Sequence, residues 1–316
     1  MRGVISPKLE AFLEQVNKAV ADAKQQGIGF SAELVRTGLN NLSALLDQKP
    51  DVAFIRDKHL TLNDHQIPVR IYHPSPTEKL PVLLHFHGGG HICGSIELYD
   101  SISRQLAQHT KCIVICADYR LAPEHPYPAG IDDCQYLLAH YKEVLEGINY
   151  SDSLYIVGDS AGGAICTTLV MNNQTSNGVK IDKQVLIYPS VDYTMRAKSV
   201  EENGQGYLLE KSKVQWYFQQ YFQIESLDDP IARKASPLFG GFSNNMPETF
   251  VITCGCDPLR DEGLAYIEAL NKVNVEVTHH HFADMPHAYM LLQALVAEEC
   301  EQSYQLIGQF LRDESR

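Results

Sequence analysis

Ser160 stands among small residues in Gly158-Asp159-Ser160-Ala161-Gly162-Gly163. The preceding Leu154-Tyr155-Ile156-Val157 has the composition of a buried strand, and Ala164 to Met171 continues as a helix. A serine at so tight a strand-to-helix turn takes an unusual backbone conformation, and small neighbours avoid clashes there. Its hydroxyl is pushed out of the packed sheet towards a substrate. Unpaired N–H groups at the helix start are available to a negative charge developing beside it. The chemistry on offer is nucleophilic attack on a carbonyl. The short pattern alone arises readily by chance, so its weight depends on residues elsewhere.

Leu80 to His87 reads as a second buried strand and runs into Gly88-Gly89-Gly90. Consecutive glycines let a backbone approach a carbonyl oxygen with only N–H donors facing it; taken alone, the triplet is also a plain flexible turn. A serine nucleophile needs a base, and the base needs a partner that holds its tautomer. Two later strand-like runs, Thr249 to Cys254 and Val273 to Phe282, are followed by Asp257 and His287. Asp261 and Glu262 are competing acids, although carboxylates in a first helical turn often simply oppose the helix dipole. Asp284, three residues before His287, could orient or cap that ring locally.

Five segments together resemble the hormone-sensitive-lipase-like family of α/β-hydrolase esterases, which includes bacterial acetyl esterases and carboxylesterases. They are His87-Gly88-Gly89-Gly90, Asp118-Tyr119-Arg120-Leu121-Ala122-Pro123-Glu124, Gly158-Asp159-Ser160-Ala161-Gly162-Gly163, Asp257-Pro258-Leu259-Arg260-Asp261-Glu262, and His287. The resemblance runs from about residue 50 to the C-terminus. It implies the α/β-hydrolase fold, in which nucleophile, acid and base follow in that order, each after a strand. Ser160 is then the nucleophile, Asp257 the acid and His287 the base. The N–H groups of Gly88, Gly89 and Ala161 are implied to form the oxyanion hole, with His87 and Gly90 supporting that loop. Asp118 to Glu124 is implied to be scaffolding. Three features depart from the family pattern: His91 after the glycines, Asp284-Met285-Pro286-His287-Ala288-Tyr289 around the base, and Cys254 and Cys256 before the acid. They touch the shape of the pocket and leave every catalytic group in place.

The rest of the chain must position these residues. Its 316 residues suit one catalytic domain with an insertion or cap. Strand-like and helix-like runs alternate, which indicates an α/β fold with a mostly parallel sheet and helices on both faces. Arg56 to Leu62 and Val69 to Tyr72 read as an opening hairpin around Asn63-Asp64. Expected core segments are 46–189 and 246–316. Residues 1–45 fall outside the alternation, with Leu9, Phe12, Leu13, Val16 and Val20 at helical spacing after Ser6-Pro7, and a second helix beginning at Ser31. Residues 190–245 form an insertion too long for a plain connection. Both segments match the positions where the family builds its helical cap. Aromatic density in the insertion, with its neighbours, makes His91, Tyr188, Tyr207, Leu208, Leu209, Trp216 and Tyr217 candidate pocket residues.

A net charge of −13, from 26 basic and 39 acidic residues without a basic stripe, argues against a nucleic-acid partner or a polyanionic substrate. No apolar run is long enough to span a membrane, and the first residues lack a leader-like apolar core. Eight cysteines in so long a chain do not make a disulfide scaffold, so a cytoplasmic enzyme is the simplest account. A periplasmic relative whose leader has been removed is the alternative; homo-oligomerisation stays open. His85, His87 and His91 could be drawn as a metal cluster, as could His279-His280-His281, but no carboxylate or cysteine has sensible ligand spacing. No metal or cofactor is expected, and His87 is better explained as positioning the glycine loop through hydrogen bonds. The expected activity is that of a carboxylesterase acting through an acyl-enzyme on small esters of short to medium acyl chain. Amide hydrolysis or acyl transfer at the same site is the rival, with a ligand-binding protein of the same fold behind it.

Overall fold

The computed structural model describes residues 1–46, 49–174 and 178–312. In chain order the elements are α1 (Glu10–Gln25), α2 (Ala32–Asn40), β1 (Phe54–Leu62), β2 (His65–His73), β3 (Leu80–Phe86), α3 (Asp100–Thr110), β4 (Ile113–Ala117), α4 (Ala129–Val144), β5 (Tyr150–Asp159) and α5 (Ala161–Asn172). There follow β6 (Lys183–Ile187), α6 (Lys198–Asn203), α7 (Lys211–Phe222), α8 (Pro230–Ala235), β7 (Glu248–Cys256), α9 (Arg260–Lys272), β8 (Val277–Pro286) and α10 (Ala297–Arg312). The strands form one sheet in the order β1-β2-β4-β3-β5-β6-β7-β8. β2 pairs antiparallel with β1 and β4, and every other pairing is parallel.

Side chains alternate across the sheet, as the two-residue period of a strand requires. On β3, Leu83 packs into one apolar layer with α3 and α10, whereas Val82 and Leu84 pack into the other with α4, α5 and α9. Being covered on both faces, the central strands read as continuous apolar runs. The last strand starts four residues later than the pattern predicts. Val273 still closes α9, its N–H bonded to Leu270 O, and Asn274 takes a left-handed conformation (φ +60°) that turns the chain into β8.

The N-terminal helices and the β6–β7 insertion lie outside this frame. Pro7–Leu9 forms a 3₁₀ turn ahead of α1, and the Ser31 side chain caps α2 by accepting from Leu34 N at 3.2 Å. Arg36 fastens α2 to the body, donating to Ile92 O at 2.8 Å and Ala122 O at 3.0 Å and pairing with Glu124. A third apolar cluster joins Val35 to Val214, Tyr217, Phe218 and Tyr221 of α7. Among the described residues no helix is long and apolar enough to cross a membrane.

Leu84 is 0 % exposed at the centre of the sheet and Leu34 is 51 % exposed on α2. Leu84→Ala is expected to cost about 2–5 kcal/mol of unfolding free energy. Leu34→Ala should cost about 0.5 kcal/mol or less. Urea denaturation of both variants measures the contrast.

Candidate active site

Ser160 joins β5 to α5 with φ +53° and ψ −118°, a region that residues with side chains rarely occupy. Hydrogen bonds hold it there: Ser160 N donates to Ile187 O at 2.9 Å, and its own carbonyl accepts from Ser190 N at 3.0 Å. The turn packs hard against β3, since a Cβ on Gly162 would lie 1.9 Å from Phe86 O. Only glycine fits there.

Asp257 follows β7, and His287 directly follows β8. His287 Nδ1 lies 2.8 Å from Asp257 Oδ2, and His287 Nε2 lies 2.8 Å from Ser160 Oγ. With Nδ1–H donating a hydrogen bond to the carboxylate, Nε2 is left as the acceptor facing the serine hydroxyl. Asp257 Oδ1 accepts from Leu259 N at 2.7 Å, which fixes the carboxylate plane. The competing acids are engaged elsewhere. Asp261 pairs with Arg260 and accepts from Ser199 N, and Glu262 accepts from Val191 N and Asp192 N. Tyr188 packs against His287, the two ring centroids 4.8 Å apart.

The glycine loop lies beside the serine because β3 and β5 are parallel neighbours. Gly88 N donates to Asp159 Oδ1 at 2.7 Å, and Tyr99 OH donates to Asp159 Oδ2 at 3.0 Å. This corrects the expectation for Gly88: its single donor is taken by a carboxylate and does not face the cavity. Gly89, Gly90 and Ala161 line the cavity instead. Burial raises the Asp159 pKa to about 6, partly offset by the bonds from Tyr99 and Gly88. His87 Nδ1 donates to Gly88 O at 2.8 Å, its ring stacks on Tyr119 at 4.5 Å, and Tyr119 OH donates to His87 O at 2.7 Å. Burial pushes His87 down to about 4, so the ring is neutral near pH 7. Asp159 and Tyr99 were missed from the sequence; the one available signal was a carboxylate beside Ser160 at the end of an apolar strand.

Ser160 opens onto a cavity of about 670 Å³ with mostly apolar walls. Leu208, Leu209 and Tyr217 line it as expected, together with Phe12 and Val16 of α1, and Leu39 and Leu42. Four expected pocket residues do not line it. His91 bonds Tyr193 OH through Nε2 at 3.0 Å and stacks on Tyr221 at 4.0 Å. Tyr207 OH donates to Gly3 O at 2.7 Å and accepts from Arg2 Nε at 3.0 Å. Trp216 packs against Phe30, and Tyr188 lies behind His287.

The histidine groups have separate partners. His85 Nδ1 is 3.0 Å from Ser103 Oγ, while His279 Nε2 and His281 Nδ1 share Thr253 Oγ1 at 2.8 and 2.9 Å. Among the described residues no group of three or more His, Cys, Asp or Glu side chains is placed to hold a metal ion.

A family model of the alpha/beta hydrolase fold matches residues 83–291. The chain is 32 % identical over 305 residues to an ethyl acetate hydrolase of Pseudomonas putida, covering 94 % of this chain and 95 % of the relative. It is also 32 % identical over 292 residues to an arylesterase of Saccharolobus solfataricus, covering 90 % and 92 % of the two chains. Among solved structures, a Pyrobaculum calidifontis esterase superposes with a TM-score of 0.85 at 29 % identity over 98 % of both chains. The chain therefore belongs to the α/β-hydrolase fold family, in its hormone-sensitive-lipase-like branch of carboxylic ester hydrolases.

Proposed function

We propose that the chain is a serine esterase that hydrolyses short- to medium-chain carboxylic esters through an acyl-enzyme. One observation carries this reading: Ser160 Oγ lies 2.8 Å from a histidine that is itself 2.8 Å from a buried carboxylate, at the mouth of an apolar cavity. His287 takes the hydroxyl proton as Ser160 attacks the ester carbonyl. The N–H groups of Gly89, Gly90 and Ala161 receive the oxyanion; each such donor is worth about 10²–10³ in rate. His287 then protonates the leaving alkoxide, and water repeats the sequence on the acyl-enzyme. Asp159 acts on the loop, holding Gly88 so that the next two glycines face the substrate. Residues 1–45 and 190–245 act as the cap that gives the cavity its walls. The buried, unpaired cysteines fit a cytoplasmic enzyme.

Turnover of p-nitrophenyl esters from acetate to dodecanoate tests the reading. Short and medium chains are expected to be hydrolysed, with Ser160→Ala lowering kcat by about 10⁴-fold or more. No turnover on any ester, or full turnover by the alanine variant, rejects it. In the same series Val16→Trp, filling the α1 wall of the cavity, should move the optimum to shorter acids and leave acetate little changed. An unmoved optimum would detach that wall from substrate selection.

Asp159 gives a pH test. Its folded pKa of about 6 lies above the ordinary 3.8, so the folded chain binds the extra proton between those values. Its contribution to stability is therefore greatest below pH 3.8 and is lost as pH rises through 6. Asp159→Asn keeps an oxygen for Gly88 N–H and cannot ionise. The stability of the native chain relative to this variant should fall between about pH 4.5 and about pH 7.5. Urea midpoints at the two pH values measure it; a pH-independent difference would show that Asp159 does not titrate as described.

A further inference from the structure

We infer that α6 of the cap is a positioning element for the acid Asp257, acting through Asn203 and Ser199 and locked by Gly3. This rests on the esterase reading and concerns residues that touch no substrate. Asn203 and Ser199 are one helical turn apart on the same face, and both are 0 % exposed. Asn203 Nδ2 donates to Gly255 O and to Asp257 O, each at 3.0 Å. Its Oδ1 accepts from Gly3 N at 3.0 Å. Ser199 Oγ donates to Pro258 O at 2.7 Å and accepts from Asp261 N at 3.1 Å, and Ser199 N donates to Asp261 Oδ2 at 2.9 Å. Backbone groups at positions 255, 257, 258 and 261 are thus held by two side chains of one short helix.

A six-residue helix has little stability of its own. Apolar residues on its inner face would bury more favourably than an amide and a hydroxyl unless those polar groups had a task. Both Asn203 donors are used, and the Gly3 bond fixes which end of the amide faces the loop. Gly3 fits only without a side chain, since a Cβ there would lie 2.4 Å from Gly255 O and 2.6 Å from Cys256 Sγ. The Asp257 carboxylate meets Leu259 N and His287 directly, so its aim follows the backbone that Asn203 holds. A displacement near 1 Å at such a group costs about 10²-fold in rate. The seating of the cap therefore reaches the triad through its acid as well as through the pocket walls.

The test compares Asn203→Ala, Ser199→Ala and Gly3→Ala with the native chain on p-nitrophenyl butyrate. Expected is a fall in kcat of about 10–100-fold for Asn203→Ala, smaller for the other two, with KM within about twofold. The downfield NMR proton shared by His287 Nδ1 and Asp257 should broaden or move in the same order, a signature independent of any ester. Kinetic constants are referred to active sites titrated with a phosphonate, so loss of folded protein is not counted as loss of rate. Gly3→Ala alters a segment outside the sheet and decides the matter if Asn203→Ala does not fold. Native kcat and an unmoved proton in the folded variants overturn the inference. An inactive native chain overturns the esterase reading instead, and the proton then tests the positioning by itself.

Discussion

The site depends on a carboxylate that crosses between two strands. Asp159, at the end of β5, reaches the N–H at the start of the loop after β3, and Tyr99 closes its other oxygen. The parallel pairing of β3 and β5 makes this reach short, since Phe86 sits opposite Gly158 in the register. A buried carboxylate is costly unless its oxygens are bonded, and bonds to a charged acceptor are the stronger kind. The strained turn at Ser160 and the glycine loop are therefore one unit. A shift in either would leave a buried carboxylate poorly satisfied, and that cost holds the loop of three glycines in place.

That unit explains what could be read from the chain and what could not. Strand ends place chemistry in this fold, and strand ends are legible: Ser160 and Asp257 follow buried apolar runs, His287 follows the half-exposed edge strand β8, and the three converge within hydrogen-bonding distance. The division of labour among the glycines was not legible. Which N–H faces the cavity depends on where Asp159 reaches, and that is set by the neighbour relation of two strands about seventy residues apart. Consecutive glycines look alike until a partner is assigned to each donor.

The pocket fails as a sequence reading for a different reason. Aromatic density drew attention to Trp216, Tyr207 and His91, but these large rings are engaged with other partners. His91 stacks on Tyr221, and Tyr207 spends its hydroxyl on the N-terminal segment. On α7 helical spacing was the better guide. Val214, Tyr217, Phe218 and Tyr221 share one inward stripe, whereas Trp216 lies off it towards Phe30. The apolar spacing of Phe12 and Val16 on α1 was plain in the sequence. What it could not supply was the helix's place over the serine, which is fixed by long-range contacts such as Asn17 Nδ2 to Gly206 O and the packing of Leu13.

The N-terminal helices and the β6–β7 insertion are coupled to the body in two chemically distinct ways. The apolar cluster in which α2 and α7 meet Ile92, Cys93 and Ala164 is non-directional, so it tolerates exchange of one aliphatic residue for another of similar volume. The α6 contacts are directional: an Asn203 amide rotated by a few tens of degrees loses two donors at once, and the carbonyls it served are those of Gly255 and Asp257. Such an arrangement lets the walls of the cavity vary while Ser160, His287 and Asp257 keep their geometry. Changes to the cavity walls on α1 or α7 would leave Ser199 and Asn203 untouched. Repacking α6 would disturb the backbone around Asp257 before it altered the cavity.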